Sequence, residues 1–546
     1  MAAIDPPPLM AAPASRICAV VPKGISACLL VALILFANEI TKRLPKSRSA
    51  KSQLLPLPPG PKAWPILGCI PEMVRNRPAF RWIHCLMKEM NTEIASIRLG
   101  SVHVIPVTCP EIAREILKKQ DAVFADRPKS MAAKAFSGGY ITAVITPNSE
   151  QWKKMRRVLT SEIICPSKHK WLHNRRSMEA DNLVKYVFYE STTNGGTVNL
   201  RCASRHYCGN VIRRLVFNKR YFGDVVPANG GPTKDEERHV DALFNSLNYL
   251  YAFCVSDYLP MLVGLDLDGH EKIVKETVRT INELHEPIIN ERIQQWHKDD
   301  VDGSKKKVPE DLLDVLITLK DGNGKPLLTP AEIKAQSTEI MMAAVDNPSN
   351  AVEWVMAEMI NKPQLLKLAV EEIDRVVGKE RWVQESDIPQ LNYIKSCIRE
   401  AFRLHPIAPF NVPHVALSDT VVTGYRIPKG SHVLLSRLGI GRNPKIWDDP
   451  LEFKPERHMG GQAEVVLTEP DLRFISFSTG RRGCIAATLG TTMSVMLLAR
   501  LIQGFDWSMP PVNPKIDLSE SAADLSLAKE LVARAVPRLA AHLYPA

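Results

Sequence analysis

What this chain of 546 residues lacks narrows its function early. No second cysteine or histidine stands within ligand spacing of Cys484, so that residue cannot belong to a structural zinc site, which needs about four ligands. No Gly/Ser linker or internal repeat divides the sequence after residue 60. Length alone would suggest roughly three or four domains, yet without a linker one large domain is the better reading. No nucleic-acid-binding motif is visible and the basic residues are scattered, so the formal net charge of +11 is left to an acidic partner surface or an anionic membrane. Long uncharged runs are missing too: Gly24 to Ala37 gives 14 residues, short of the ~20 that span a bilayer.

What is present centres on one sulfur. Phe477-Ser-Thr-Gly480-Arg481-Arg482-Gly483-Cys484-Ile485-Ala486 holds a single cysteine in a Gly- and Arg-rich loop directly before an apolar stretch. Haem iron needs only one axial sulfur from the protein, and a thiolate there pushes electron density onto the iron and favours O–O cleavage. The glycines let backbone N–H groups approach the sulfur, Arg482 can reach a haem propionate, and a helix starting near Ala486 directs its positive end at the thiolate. The alternative is an ordinary buried cysteine among the eleven present.

Other segments favour the haem reading. Glu400 and Arg403 stand three apart, on one helix face, and Arg457 in Phe453-Lys-Pro-Glu-Arg-His can close a Glu–Arg–Arg cluster. Upstream lies Trp152-Lys-Lys-Met-Arg156, and after the Glu400 pair comes the proline-punctuated run from Pro406 to His414. In order and spacing, F-x-x-G-x-R-x-C, E-x-x-R, P-E-R and W-x-x-x-R together resemble the cytochrome P-450 superfamily over about residues 56 to 546. The one departure in the cysteine loop is Ala486, where the superfamily usually has glycine.

The resemblance implies a P-450 fold, mainly α with small β sheets, and haem b with Cys484 as the axial iron ligand. It implies that Trp152, Arg156, His414, Phe477, Gly480 and Arg482 hold the cofactor, and that Glu400, Arg403 and Arg457 form a structural lock. Periodicity agrees on the helices. Apolar residues at Ile273, Val274, Val278, Ile281, Leu284, Ile288 and Ile293 predict a helix over 271–296, and 330–360 and 487–504 also read as long helices. The charged stretch His297 to Lys307 reads as a solvated loop, and Ile94 to Val107 and Thr420 to Leu435 as short strands.

Within the long helix runs Ala343-Ala-Val-Asp346-Asn347-Pro348-Ser-Asn350. Most haem-thiolate oxygenases carry an acid followed by threonine here; this chain has Asp346 followed by Asn347. Pro348 has no N–H for the carbonyl of Ala344, which predicts a kink with room for water. With the cysteine loop, the run His405 to His414 and Ser256-Asp-Tyr-Leu-Pro260, this departure resembles the plant amino-acid N-hydroxylases. Those enzymes turn an L-amino acid into its aldoxime by two N-hydroxylations with loss of water and carbon dioxide, opening cyanogenic glucoside, glucosinolate or volatile aldoxime pathways. The implied catalytic residues are Asp346, Asn347 and Pro348, organising water for protonation, with electrons from NADPH through a separate flavin reductase. The alternatives are a carbon-hydroxylating monooxygenase, a reductase-independent hydroperoxide isomerase or dehydratase, and a non-catalytic haem carrier.

The N-terminus sets the location. Counting from Ile17 lengthens the apolar run to about 21 residues if Lys23 snorkels, and Lys42, Arg43, Lys46, Arg48 and Lys51 predict a cytosolic C-terminal flank. The reading is a lumenal tail at 1–16, a transmembrane signal anchor at 17–38, a basic linker and proline-rich hinge at 39–61, and a haem-thiolate monooxygenase domain at 62–546. The enzyme is then single-pass in the endoplasmic reticulum membrane, facing the cytosol, where eleven cysteines imply no disulfide framework. A plastid location is the alternative. Lys153, Lys154, Arg157, Lys168, Lys170, Arg175 and Arg176 form a basic patch suited to an acidic NADPH-cytochrome reductase. The candidates for side-chain recognition of the amino acid are the loop Phe124 to Thr146, Met341, Met342, Phe410 to Val412 and Leu525 to Leu527, which would favour Phe, Val or Ile; the alternative is that they are core. Arg127 is a candidate for the substrate carboxylate or for a structural role.

Overall fold

A computed structural model describes residues 55–302, 308–460, 464–510 and 515–545. The lumenal tail, the anchor at 17–38 and the basic linker up to residue 54 lie outside the described residues. Two units separate: residues 64–66 with the chain before 55, and residues 55–63 with 67–546, which carry everything below. Among the described residues no helix is long and apolar enough to cross a membrane.

Eight helices position the site: α1 (Glu150–Val158), α2 (His173–Thr193), α3 (Leu200–Phe217), α4 (Lys234–Leu250), α5 (His270–Asp302), α6 (Pro330–Asn361), α7 (Asn392–Leu404) and α8 (Ala487–Gly504). Their starts follow from local chemistry. Ser149 Oγ accepts the Trp152 N–H at the head of α1, and Thr233 with Glu236 and Thr329 with Glu332 form capping boxes on α4 and α6. α6 is buried nearly all round and packs against α3, α4, α7 and α8, as a central helix must.

One boundary differs from expectation. α5 continues through His297 to Asp302, residues read above as loop. A run of Lys and Asp does not by itself stop a helix, and the first strong breaker in that stretch is Gly303; residues 303–307 lie outside the described residues. At the proline where a kink was expected, α6 continues as helix through Pro348.

The strands are minor. β1 (Ile97–Leu99), β2 (Val102–Val107), β4 (His414–Val415) and β7 (His432–Leu435) form a sheet in the order β1-β2-β7-β4, with β2 and β7 parallel. β3 (Thr197–Asn199), β9 (Val532–Pro537) and β8 (Phe505–Ser508) form a second sheet. β5 (Thr420–Val422) and β6 (Tyr425–Ile427) make a hairpin whose turn residues Thr423 and Gly424 both have positive φ.

The described part of the proline-rich segment is tied to the sheets beside it. Pro56 and Pro59 carbonyls accept the N–H groups of Arg426 and Ser96 at 2.9 and 2.8 Å, and a Cβ on Gly60 would sit 2.0 Å from the Ser96 carbonyl oxygen. Deep in the body the Trp354 ring stacks on His405 at 3.9 Å. Its Nε1–H donates to the Leu525 carbonyl at 3.1 Å, joining α6 to the end of α7 and to the C-terminal segment.

Candidate active site

A cavity of about 970 Å³ lies between α6 and the loop ahead of α8. Cys484 faces it. The loop is held by Cys484 N–H donating to Phe477 O at 2.8 Å and Gly483 N–H to Gly480 O at 2.9 Å. Gly480 has φ +76°, and a Cβ there would lie 2.6 Å from both Asp121 Oδ1 and Leu117 O, so only glycine fits. Ala486 has φ −99°, which any residue adopts, so the departure from glycine costs the loop nothing. Burial pushes the Cys484 thiol up, while the Ala486 amide, Arg156 and Arg437 draw it down.

One wall gathers cations. The Arg482 guanidinium stacks 4.1 Å above the Trp152 ring and donates from Nε to Ala125 O at 2.7 Å and from Nη2 to Thr146 O at 2.9 Å. Arg156 Nη2 donates to Gly483 O at 2.8 Å, and Arg127 Nη1 to the Val412 and Pro413 carbonyls at 2.7 and 2.6 Å. Burial lowers Arg127 to about 10 and Arg482 to about 9. Trp152 Nε1–H and Arg127 Nε are buried with no acceptor. Three guanidiniums lining a cavity that also holds one thiol, with orphaned N–H donors on Trp152 and Arg127 beside them, match the two propionates and the iron of a haem. The residues present therefore fit haem b.

His414, like Trp152, is not among the residues lining the cavity, and its Nε2 is buried without a partner. Its Nδ1 donates to Phe124 O at 2.8 Å, and burial holds the imidazole neutral, with a pKa of about 3. Phe477 lines the cavity and meets Phe402 edge-on.

The opposite wall carries Asp346, Asn347 and Pro348. Asn347 Nδ2 donates back to Ala343 O at 3.2 Å and Ser349 Oγ to Val345 O at 2.8 Å, so side chains bridge the turn where Pro348 offers Ala344 O no amide. Asp346 accepts from Asn350 Nδ2. Burial, and secondarily the Asp524 carboxylate, raise Asp346 to about 7 against the pull of Arg205, Asn350 and Arg437. A polar chamber of about 260 Å³, lined by Arg205, Asp241, Asn350 and Asp524, also reaches Asp346.

Beneath the site, Arg403 donates twice to Glu400, from Nη2 at 2.7 Å and Nε at 2.8 Å, and Arg457 Nε donates at 3.0 Å. The sequence reading missed a fourth partner, His458, whose Nε2 lies 2.9 Å from Glu400. It directly follows Arg457, but a lone histidine carries no motif. Despite burial, which acts the other way, Arg403 and His458 hold the Glu400 carboxyl at about 2.

Among the side-chain candidates, Phe410 to Val412, Arg127, Ala143 and Val144 line the cavity. Met341 and Met342 do not: both are core residues, 0 % and 2 % exposed, pointing away from the cavity face of α6. Leu525 and Leu527 are likewise core, and Ala522, Ala523 and Asp524 take their place. Sequence reasoning also missed Tyr251, Phe253 and Arg437. In the basic patch, Lys154 is bound to Glu332 at 2.7 Å and Arg176 to Glu385 at 2.7 and 2.8 Å, so neither is free; Lys153, Arg157 and Lys170 are exposed.

Comparison with known proteins agrees with this geometry. A family profile described as Cytochrome P450 matches residues 58–532. The chain is 63 % identical to a tyrosine N-monooxygenase of Sorghum bicolor over 90 % of this chain and 88 % of that one. It is 59 % identical to valine N-monooxygenase 1 of Manihot esculenta, over 95 % and 94 %, and 58 % identical to tryptophan N-monooxygenase 1 of Arabidopsis thaliana, over 90 % and 89 %. Among solved structures, a zebrafish cytochrome P450 with progesterone superposes with a TM-score of 0.67 at 23 % identity, covering 85 % of this chain and all of that one. With its thiol, its cation wall and its helical frame, the chain belongs to the cytochrome P450 family.

Proposed function

We propose that this enzyme converts an L-amino acid to the corresponding aldoxime by two successive N-hydroxylations, with loss of water and carbon dioxide. The observation that carries the proposal is the pairing of Cys484 with Asp346-Asn347-Pro348 across one cavity, in a chain whose relatives are named amino-acid N-monooxygenases.

When bound, haem b supplies oxygen activation, fed by electrons from NADPH through a flavin reductase partner. Cys484 would ligate the iron, and Trp152, Arg127, Arg156 and Arg482 would hold the propionates. Asp346, buried and near neutrality, exchanges protons with water in the polar chamber, and Asn347, tied to Ala343, keeps the turn open beside the unbonded Ala344 carbonyl. These groups do the work of the missing threonine hydroxyl. Phe253, Phe410 and Ile212 give the cavity an apolar and aromatic lining, which favours side chains such as those of Phe, Val or Ile.

The enzyme works at the endoplasmic reticulum membrane, anchored by 17–38. In support, Met261, Val263, Leu265 and Leu267, between α4 and α5, are 57–72 % exposed. The reductase docks on Lys153, Arg157 and Lys170. Microsomes supplied with reductase, NADPH and each of the twenty amino acids are expected to yield one oxime or a few; oxime from none overturns the proposal.

A further inference from the structure

Beside exposed Arg77, the cavity holds one more arginine that the haem does not explain. Arg437 follows β7, just past Ser436, and lines the cavity. Its Nη2 donates to Asn411 Oδ1 at 3.2 Å, and Asn411 donates in turn to Ser478 Oγ at 3.2 Å. Its Nε is buried with no acceptor, and among the described residues no carboxylate lies within ion-pair distance of it. A guanidinium placed in this way, with its charge uncompensated, calls for an anion.

Two carboxylate sources exist, a haem propionate and a substrate carboxylate. Arg127, Arg156 and Arg482 belong together: Arg482 is depressed by both of the others. Those three are anchored on Ala125, Thr146, Gly483, Val412 and Pro413. Arg437 is tied instead to Asn411, and it shares the cavity with Cys484 and with Asp346 of α6, where the reacting part of a substrate must sit. Asp346 and Asp524 line the same cavity as Arg437, which places carboxyl groups and a guanidinium around one space.

We propose that Arg437 binds the α-carboxylate of the amino-acid substrate while Asp346 faces its α-ammonium, so that the cavity reads the zwitterion and leaves the side chain to the apolar wall. The inference rests on the amino-acid reading above. It assigns Arg437 a role in substrate specificity that no motif in the sequence announces.

The test is spectral titration of purified, haem-loaded enzyme with the preferred L-amino acid, its amide and its decarboxylated amine. In the wild type the amino acid binds at least about tenfold more tightly than amide or amine, the range of one charge-assisted pair. Arg437→Gln loses that advantage, leaves binding of the amine unchanged and keeps the 450 nm band of the reduced CO complex; Arg437→Lys restores part of it. Equal affinity of the wild type for amino acid and amide overturns the inference, and needs no variant. So does unchanged amino-acid binding in Arg437→Gln. Loss of haem in that variant, with the amino acid-to-amine ratio intact in whatever remains loaded, assigns Arg437 to a propionate and overturns it too. If no amino acid perturbs the wild-type spectrum, the amino-acid reading falls and this inference with it.

Discussion

At Cys484 the sequence was most legible, because a lone cysteine in F-x-x-G-x-R-x-C has few chemical uses. Cys484→Ser is expected to abolish the 450 nm band of the reduced CO complex, whereas a band of wild-type height would remove the thiolate from the site. Glu400 was legible only in part: E-x-x-R gave Arg403, but His458 meets it through folding. The Glu400 carboxyl sits at about 2 in the fold against 4.5 in the unfolded chain. A depressed pKa contributes stability that is complete above 4.5 and is lost as pH falls from there to 2, roughly 3 kcal/mol in all. Thermal midpoints between pH 5 and 3 should therefore drop steeply in the wild type and less in Glu400→Gln. That variant starts lower at pH 7, because Arg403 and Arg457 then lose their shared counter-charge. Parallel pH curves for the two proteins would show that Glu400 does not control acid stability.

Among the elements, α6 and α8 were legible to within a residue because both are long. The end of α5 was not, because charge alone marks neither helix nor loop. The cavity face of α6 also escaped the sequence: a helix buried nearly all round gives no clue to which methionine points where, and Met341 and Met342 are core. Pro348 in mid-helix is costly by local rules, about 3 kcal/mol relative to alanine, and its neighbours Asn347 and Ser349 bridge the gap with side chains. Pro348→Ala is therefore expected to raise the melting temperature and to lower the yield of oxime per NADPH consumed, since Ala344 O would be bonded again. A more stable variant with undiminished coupling would separate the proline from catalysis.

For the whole molecule, composition and the absence of linkers indicated one large body, and the family resemblance supplied its mainly α architecture. The basic patch needed the coordinates: Lys154 and Arg176 are spent on internal pairs, which charge counting cannot reveal. Lys153→Glu with Arg157→Glu should slow reductase-supported turnover several-fold at low salt, with less effect as ionic strength rises, and leave peroxide-driven turnover intact. Equal loss in both assays would point to a folding defect and not to docking.

The enclosure of α6 by α3, α4, α7 and α8 has one more consequence. Its amides can trade hydrogen for deuterium only when the body opens as a whole, except at the turn where Pro348 leaves the ladder one rung short. On warming, isotope uptake should begin at that missing rung, so the segment bordering the chemistry is the one place where a rigid spine can breathe.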